Sequence, residues 1–150
     1  MQVRVFWIGK TRLPGVADLT AEYSRRLRRY CDFQAEEVRG SRGKGKGLPG
    51  AEAAMADRAA GSVRVVLDPA GRLWNSEEFA AFLKNKRDVA GQGVSFCVGG
   101  AEGFSAEFRR SAGLLLSLSP LTFPHELARV VLLEQIYRAF TLLANHPYPR

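Results

Sequence analysis

The sequence predicts one α/β domain with a mostly parallel sheet and helices on both faces. Three observations carry this. Strand-like and helix-like stretches alternate along the chain, the pattern of repeated βαβ units. Val63 to Asp68 places Val63, Val65, Val66 and Leu67 close together without strict alternation, as in a strand covered on both faces. With 150 residues, 46% of them hydrophobic and 25% charged, the chain is the size of one domain with a substantial core.

The elements follow in order. Val3 to Ile8 is a first strand, rich in β-formers and stopped by Gly9. A helix over Val16 to Arg29 carries Leu19, Tyr23 and Leu27 at four-residue spacing. Phe33 to Val38 is the second strand, and a glycine-rich loop leads from it to an alanine-rich helix over Ala51 to Ala60. Val63 to Asp68 is the third strand, ending in the turn-like Asp68-Pro69-Ala70-Gly71. Asn75, followed by Glu78, gives a capping-box start to a helix reaching Asp88. Val94 to Val98 is the fourth strand, broken by Gly99 and Gly100. A short helix over Ala106 to Ser111 precedes a fifth strand, Leu114 to Leu118. The last helix, Pro124 to Leu143, spreads Leu127, Val131, Leu132, Ile136, Phe140 and Leu143 over a broad face, for burial against the sheet or another subunit.

Charge narrows the partner. The formal charge is +7, and the first 60 residues hold +5 of it. Nucleic acid is the first partner to consider and an anionic membrane surface the second. Two clusters supply the excess: Arg25, Arg26, Arg28 and Arg29 at a helix end, and Arg39, Arg42, Lys44 and Lys46 among Gly40, Gly43, Gly45 and Gly47. The first also serves as a solvated helix terminus whose cations complement the dipole. The second suits an arm that follows a phosphate backbone. The N-terminus has charge within its apolar stretch and no small-residue cleavage site, and no apolar run approaches the roughly 20 residues that span a bilayer. Cys31 and Cys97 make neither a disulfide framework nor zinc spacing. A reducing, cytoplasmic setting is expected.

Several motifs fail on single residues. Gly40 to Gly47 approaches a phosphate-binding P-loop but has Gly47 where Ser or Thr would hold magnesium. His125-Glu126 begins a zinc-protease pattern whose second histidine is replaced by Arg129. Gly99, Gly100 and Gly103 lack dinucleotide-fingerprint spacing, and Ser105 lacks a nucleophile elbow. No metal site is expected. What remains is a set of loops at strand carboxyl ends, where open α/β sheets bind ligands: residues 67–71, 99–103 and 118–123. Each alone is equally consistent with plain turn chemistry.

Taken together these loops resemble a family. VVLDPAGRLWNSEEFA, FCVGGAEGF, LSLSPLTFPHELARVVLLEQIYRAF and the ending NHPY are similar to the ribosomal RNA large subunit methyltransferase H family, of the SPOUT class. IGKTR, EYSRRLRRY and GKGKG extend the resemblance over nearly the whole chain, and Leu118 to Phe140 is its most specific part. The resemblance implies an α/β fold with a C-terminal trefoil knot and a homodimer. It also implies transfer of a methyl group from S-adenosylmethionine to N3 of a pseudouridine in large-subunit ribosomal RNA, on the assembled ribosome. General topology rules argue against knots, so only the resemblance carries that expectation.

Carried over residue by residue, the resemblance assigns cofactor contact to Leu67, to Gly99 and Gly100, and to Leu118, Ser119, Pro120, Leu121, Thr122 and Phe123. Main-chain groups of such loops can bond an adenine edge while Leu67, Leu121 and Phe123 give apolar contact. Glu102 serves either the cofactor or a helix start. A uracil-type N3–H must lose its proton, so a base or a stabilising cation is needed. Candidates are His146, Tyr148 and Arg150 in the tail, with Arg129 and Arg138 of the last helix reaching from a partner subunit; His125 reads as structural. Relatives commonly end in Tyr-His and a basic residue. Here Tyr148 is followed by Pro149 and Arg150, so either that histidine is dispensable or His146 substitutes for it. The alternative consistent with that departure is a non-catalytic RNA-binding or ribosome-associated module on the same scaffold. Arg25, Arg26, Arg39, Arg42, Lys44 and Lys46 are the expected RNA contacts.

Overall fold

The computed structural model describes residues 1–39, 49–89 and 91–149. Five strands form one sheet: β1 (Gln2–Ile8), β2 (Asp32–Val38), β3 (Val63–Leu73), β4 (Val94–Val98) and β5 (Leu114–Ser117). Five helices connect or follow them: α1 (Pro14–Leu27), α2 (Pro49–Arg58), α3 (Ser76–Asp88), α4 (Ala106–Arg110) and α5 (His125–Leu143). The strand order is β2-β1-β4-β3-β5 and every pairing is parallel.

Alternation along the strands explains the two covered faces. Val3, Val5 and Trp7 of β1 and Val94, Phe96 and Val98 of β4 join a core with Leu27 of α1, Phe79 and Leu83 of α3, and Leu132, Leu133, Ile136 and Phe140 of α5. Phe6, Ile8 and Cys97 point the other way, to Ala51 and Met55 of α2 and Phe108 of α4. Helices α1, α3 and α5 therefore lie on one face, α2 and α4 on the other. The broad apolar face expected of α5 is buried at Leu132, Ile136 and Phe140, whereas Leu127 is 43% exposed. Leu19, expected in the apolar stripe of α1, is 44% exposed.

The third strand departs from expectation. Residues 67–71 do not end it: after an irregularity between Leu67 and Arg72 the strand resumes, pairing Arg72 with Leu116 and Leu73 with Ser117 of β5. A Cβ on Gly71 would stand 2.7 Å from the Leu115 and Leu116 backbone, so the two segments cross with room only for glycine. The Asn75 start is as expected, with Asn75 Oδ1 accepting from Glu78 N–H at 2.8 Å and the Glu78 carboxylate accepting from Asn75 N–H at 2.7 Å. No helix among the described residues is long and apolar enough to cross a membrane.

Candidate active site

The carboxyl ends of β3, β4 and β5 open on a cavity of about 410 Å³. All nine residues assigned to cofactor contact from sequence line it: Leu67, Gly99, Gly100 and the run Leu118 to Phe123. Val98, Ala101, His125 and Ala128 complete much of its wall. The 118–123 segment holds its own shape, with Ser117 Oγ donating to the Ser119 carbonyl at 3.1 Å and Leu121 N–H donating to Ser119 Oγ at 2.9 Å. A Cβ at Gly100 would meet nothing closer than the Ile8 carbonyl at 3.8 Å, so this backbone is open to close approach. Asp68, at the lip, is fixed by its Oδ1 accepting from Ala70 N–H at 2.8 Å and by Arg109 Nε at 2.5 Å from Oδ2. Glu102 is exposed and does not line the cavity.

A second cavity, of about 450 Å³, adjoins the first through Leu116, Ser117 and Leu118. It runs between α3 and α5 past Trp74, Ser76, Gln135 and Arg138. Sequence reading missed it, because only the crossing of β3 over β5 brings Trp74 beside α5.

The tail lies elsewhere. Helix α5 begins at the cavity with His125, and its 19 residues carry the chain about 28 Å away. It ends in a Schellman turn: Asn145 takes a left-handed conformation (φ 53°), His146 N–H bonds the Thr141 carbonyl at 2.9 Å and Asn145 N–H bonds that of Leu142 at 3.2 Å. The turn folds the tail back onto α1 and α5. Tyr148 packs edge-on against Tyr137 at 4.8 Å, its hydroxyl 3.4 Å from that of Tyr23, and Arg138 covers its ring while donating to the Pro149 carbonyl. Burial, then the bond to Tyr23, raises the Tyr148 pKa above the ordinary phenol value, the wrong direction for a base. His146 is exposed. Neither lines either cavity of its own chain, and Arg150 lies outside the described residues.

A family model described as "Predicted SPOUT methyltransferase" matches residues 1–149. A Geobacter sulfurreducens protein named "Ribosomal RNA large subunit methyltransferase H" is 42% identical over 99% of both chains. A Thermus thermophilus protein of that name is 45% identical over 100% of this chain and 99% of its own. The chain belongs to the ribosomal RNA large subunit methyltransferase H family of SPOUT methyltransferases. Solved structures agree on the fold. The tRNA (m1G37) methyltransferase from Aquifex aeolicus superposes with a TM-score of 0.60 at 13% identity, covering 100% of this chain and 75% of that one. A Legionella pneumophila chain solved with bound SAM gives 0.53 at 16% identity, covering 93% of this chain and 66% of that one.

Within this SPOUT methyltransferase the expected RNA contacts fall in three groups. Arg25 and Arg26 pair with Glu22 at 2.6 and 2.8 Å, and Arg26 also packs over the Tyr23 and Tyr137 rings. These pairs hold the Glu22 carboxyl down at about 2. Arg39 pairs with Glu37 at 2.7 Å. Arg42, Lys44 and Lys46 lie outside the described residues.

Arg129, a candidate for contact with the reacting base, is 1% exposed and serves its own chain. Its guanidinium donates to the carbonyls of Ile8 (3.2 Å) and Gly9 (3.1 Å) and to Thr11 Oγ1 (3.0 Å), and lies over Trp7. Glu126, not singled out from sequence except in a failed zinc pattern, accepts from Arg12 N–H at 2.8 Å and Leu13 N–H at 3.1 Å. Arg138, the other helix candidate, is tied to Glu134 at 2.7 Å.

Proposed function

We propose that the chain is an S-adenosylmethionine-dependent methyltransferase of large-subunit ribosomal RNA, modifying N3 of a pseudouridine on the assembled ribosome in the cytoplasm. One observation carries the reading: nine residues picked from three separate loops line a single cavity at the carboxyl edge of a parallel sheet. The cavity fits the cofactor. Its volume of about 410 Å³ lies within the usual range for small-molecule sites, and its wall joins the apolar Leu67, Val98 and Leu116 to a backbone-rich loop. Bound there, S-adenosylmethionine supplies a methyl group on an electrophilic sulfonium carbon.

The chain's own residues orient and exclude water. Gly99 and Gly100 bring main chain to the ligand, the Leu118–Phe123 segment offers N–H and C=O groups along one side, and Leu67 closes the apolar side. The proton on the target nitrogen is the remaining task. His146 is the base in this reading, since Tyr148 is held as a phenol and Pro149 has no proton-accepting side chain. Tyr148 and Arg138 position the tail, and Arg150, next in sequence after Pro149, is a candidate cation.

Because α5 separates tail from pocket, the reading requires two chains, one giving the pocket and the other the tail. The α1–α5 side supports such a homodimer: Leu13, Leu19 and Leu127 are exposed there at 55%, 44% and 43%. The C-terminal trefoil knot belongs to the same proposal, supported by the tight crossing of Gly71 over β5. The test is calorimetry with S-adenosylmethionine, followed by mass spectrometry of ribosomal RNA from cells with and without the gene. Cofactor binding and one methylpseudouridine lost with the gene are expected; no binding at millimolar cofactor overturns the reading in favour of a non-catalytic RNA-binding module.

A further inference from the structure

The loop between β1 and α1, residues Gly9 to Leu13, is fastened to α5 more elaborately than a connection needs. Arg129 draws in the carbonyls of Ile8 and Gly9 and the hydroxyl of Thr11, while Glu126, less than one turn earlier, takes the N–H groups of Arg12 and Leu13. A guanidinium 1% exposed is costly to bury, and an apolar side chain of similar size would pack these elements without that cost. What the charged pair adds is conformation: the inward backbone groups of the loop are satisfied by α5, and the side chains of Lys10 and Arg12 stay exposed.

The place matters as much as the shape. Ala128, the neighbour of Arg129, lines the cofactor cavity, as does His125, the neighbour of Glu126. From the sheet side, Gly100 of the same cavity sits against Ile8. Among the described residues neither Lys10 nor Arg12 has a carboxylate partner, whereas Arg25, Arg26 and Arg39 each do.

We propose that the β1–α1 loop is the rim that takes RNA phosphate beside the cofactor cavity, with Lys10 and Arg12 as the contacting cations and Glu126 and Arg129 as positioning residues that hold the loop there. The inference rests on the ribosomal RNA methyltransferase reading. Removing both cations should weaken RNA engagement in a salt-dependent way and leave the cofactor alone.

The experiment measures methyl transfer from labelled S-adenosylmethionine to ribosomes from a strain lacking the gene, over a range of monovalent salt, with cofactor affinity read in parallel by calorimetry. For Lys10→Ala/Arg12→Ala, KM for ribosomes should rise, and the slope of log(kcat/KM) against log salt should flatten by about 1.5, at roughly 0.7–0.9 for each phosphate no longer neutralised. Glu126→Ala should raise the same KM at unchanged cofactor affinity. Glu126→Gln, whose amide oxygen still accepts both N–H groups, should restore it. An unchanged slope and KM in the double variant overturn the proposal, and so does a parallel loss of cofactor affinity, which would put the loop in the cofactor site. If wild-type protein itself binds no cofactor or methylates no ribosome, the underlying reading has failed instead.

Discussion

A methyl group on Gly71 would press against two backbone segments that have no side chain to move aside. Gly71→Ala should therefore destabilise by about 1–3 kcal/mol, as overpacking does. In a protein of this size each kcal/mol is worth roughly 2–4 °C in Tm. Gly15→Ala is the matched comparison: in α1, with nothing within 4 Å of an added Cβ, it should be neutral or stabilise by up to about 1 kcal/mol. Thermal unfolding of both checks the pair, and an unchanged Tm for Gly71→Ala would show that the crossing yields. At this scale the sequence was legible where a residue acts on near neighbours. Asn75 announced its cap, and Glu22, three and four residues before Arg25 and Arg26, could have warned that these cations are paired. Arg129 was misread because its partners lie about 120 residues away in β1 and the loop after it, and an arginine on a helix gives no local sign of burial.

Between elements, the first turn of α5 ties down the chain that enters α1. Leu13 at the α1 N-cap has no side-chain cap, and Glu126 takes its N–H and that of Arg12 from across the chain. These bonds, the one from Leu13 first, hold the Glu126 carboxyl below its ordinary range. The folded state thus prefers the carboxylate, and the stability this adds is present above the unfolded pKa of about 4.3 and lost as pH falls through the lower folded value. Glu126→Gln should flatten the fall of Tm from about pH 5 downward without lowering Tm at pH 7 as much as Glu126→Ala; parallel curves for wild type and Glu126→Gln would count against it. The order and type of all ten elements were readable from periodicity and turn residues. The continuation of β3 to Leu73 was not, because Asp68-Pro69-Ala70-Gly71 has turn chemistry and only pairing with β5, over 40 residues on, makes it a strand.

For the molecule as a whole, the tail rests on Tyr137 and Arg138, more than three turns along α5 from the cavity-lining His125. A site shared between two chains makes a specific prediction. Neither Gly100→Trp, which fills the cavity, nor His146→Ala, which removes the proposed tail base, should be active alone. Mixed as refolded equimolar protomers they should recover about a quarter of wild-type activity, since half the symmetric dimers are mixed and each holds one intact site. No recovery in demonstrably mixed dimers would place pocket and tail in one chain. A site shared between two chains is invisible to periodicity, which locates residues along a helix but not the ends of different chains. The lock between α5 and the β1–α1 loop also has an optical consequence. The chain has two tryptophans: Trp74 lies half-buried against Phe82 at the second cavity, while Trp7 is buried with the Arg129 guanidinium 5.2 Å from its ring. With Trp74 replaced by phenylalanine, the remaining indole emission would respond to the approach or withdrawal of that cation. The protein thus carries a built-in fluorophore that reports whether the Arg129 guanidinium keeps its place beside Trp7, with no label and no substrate present.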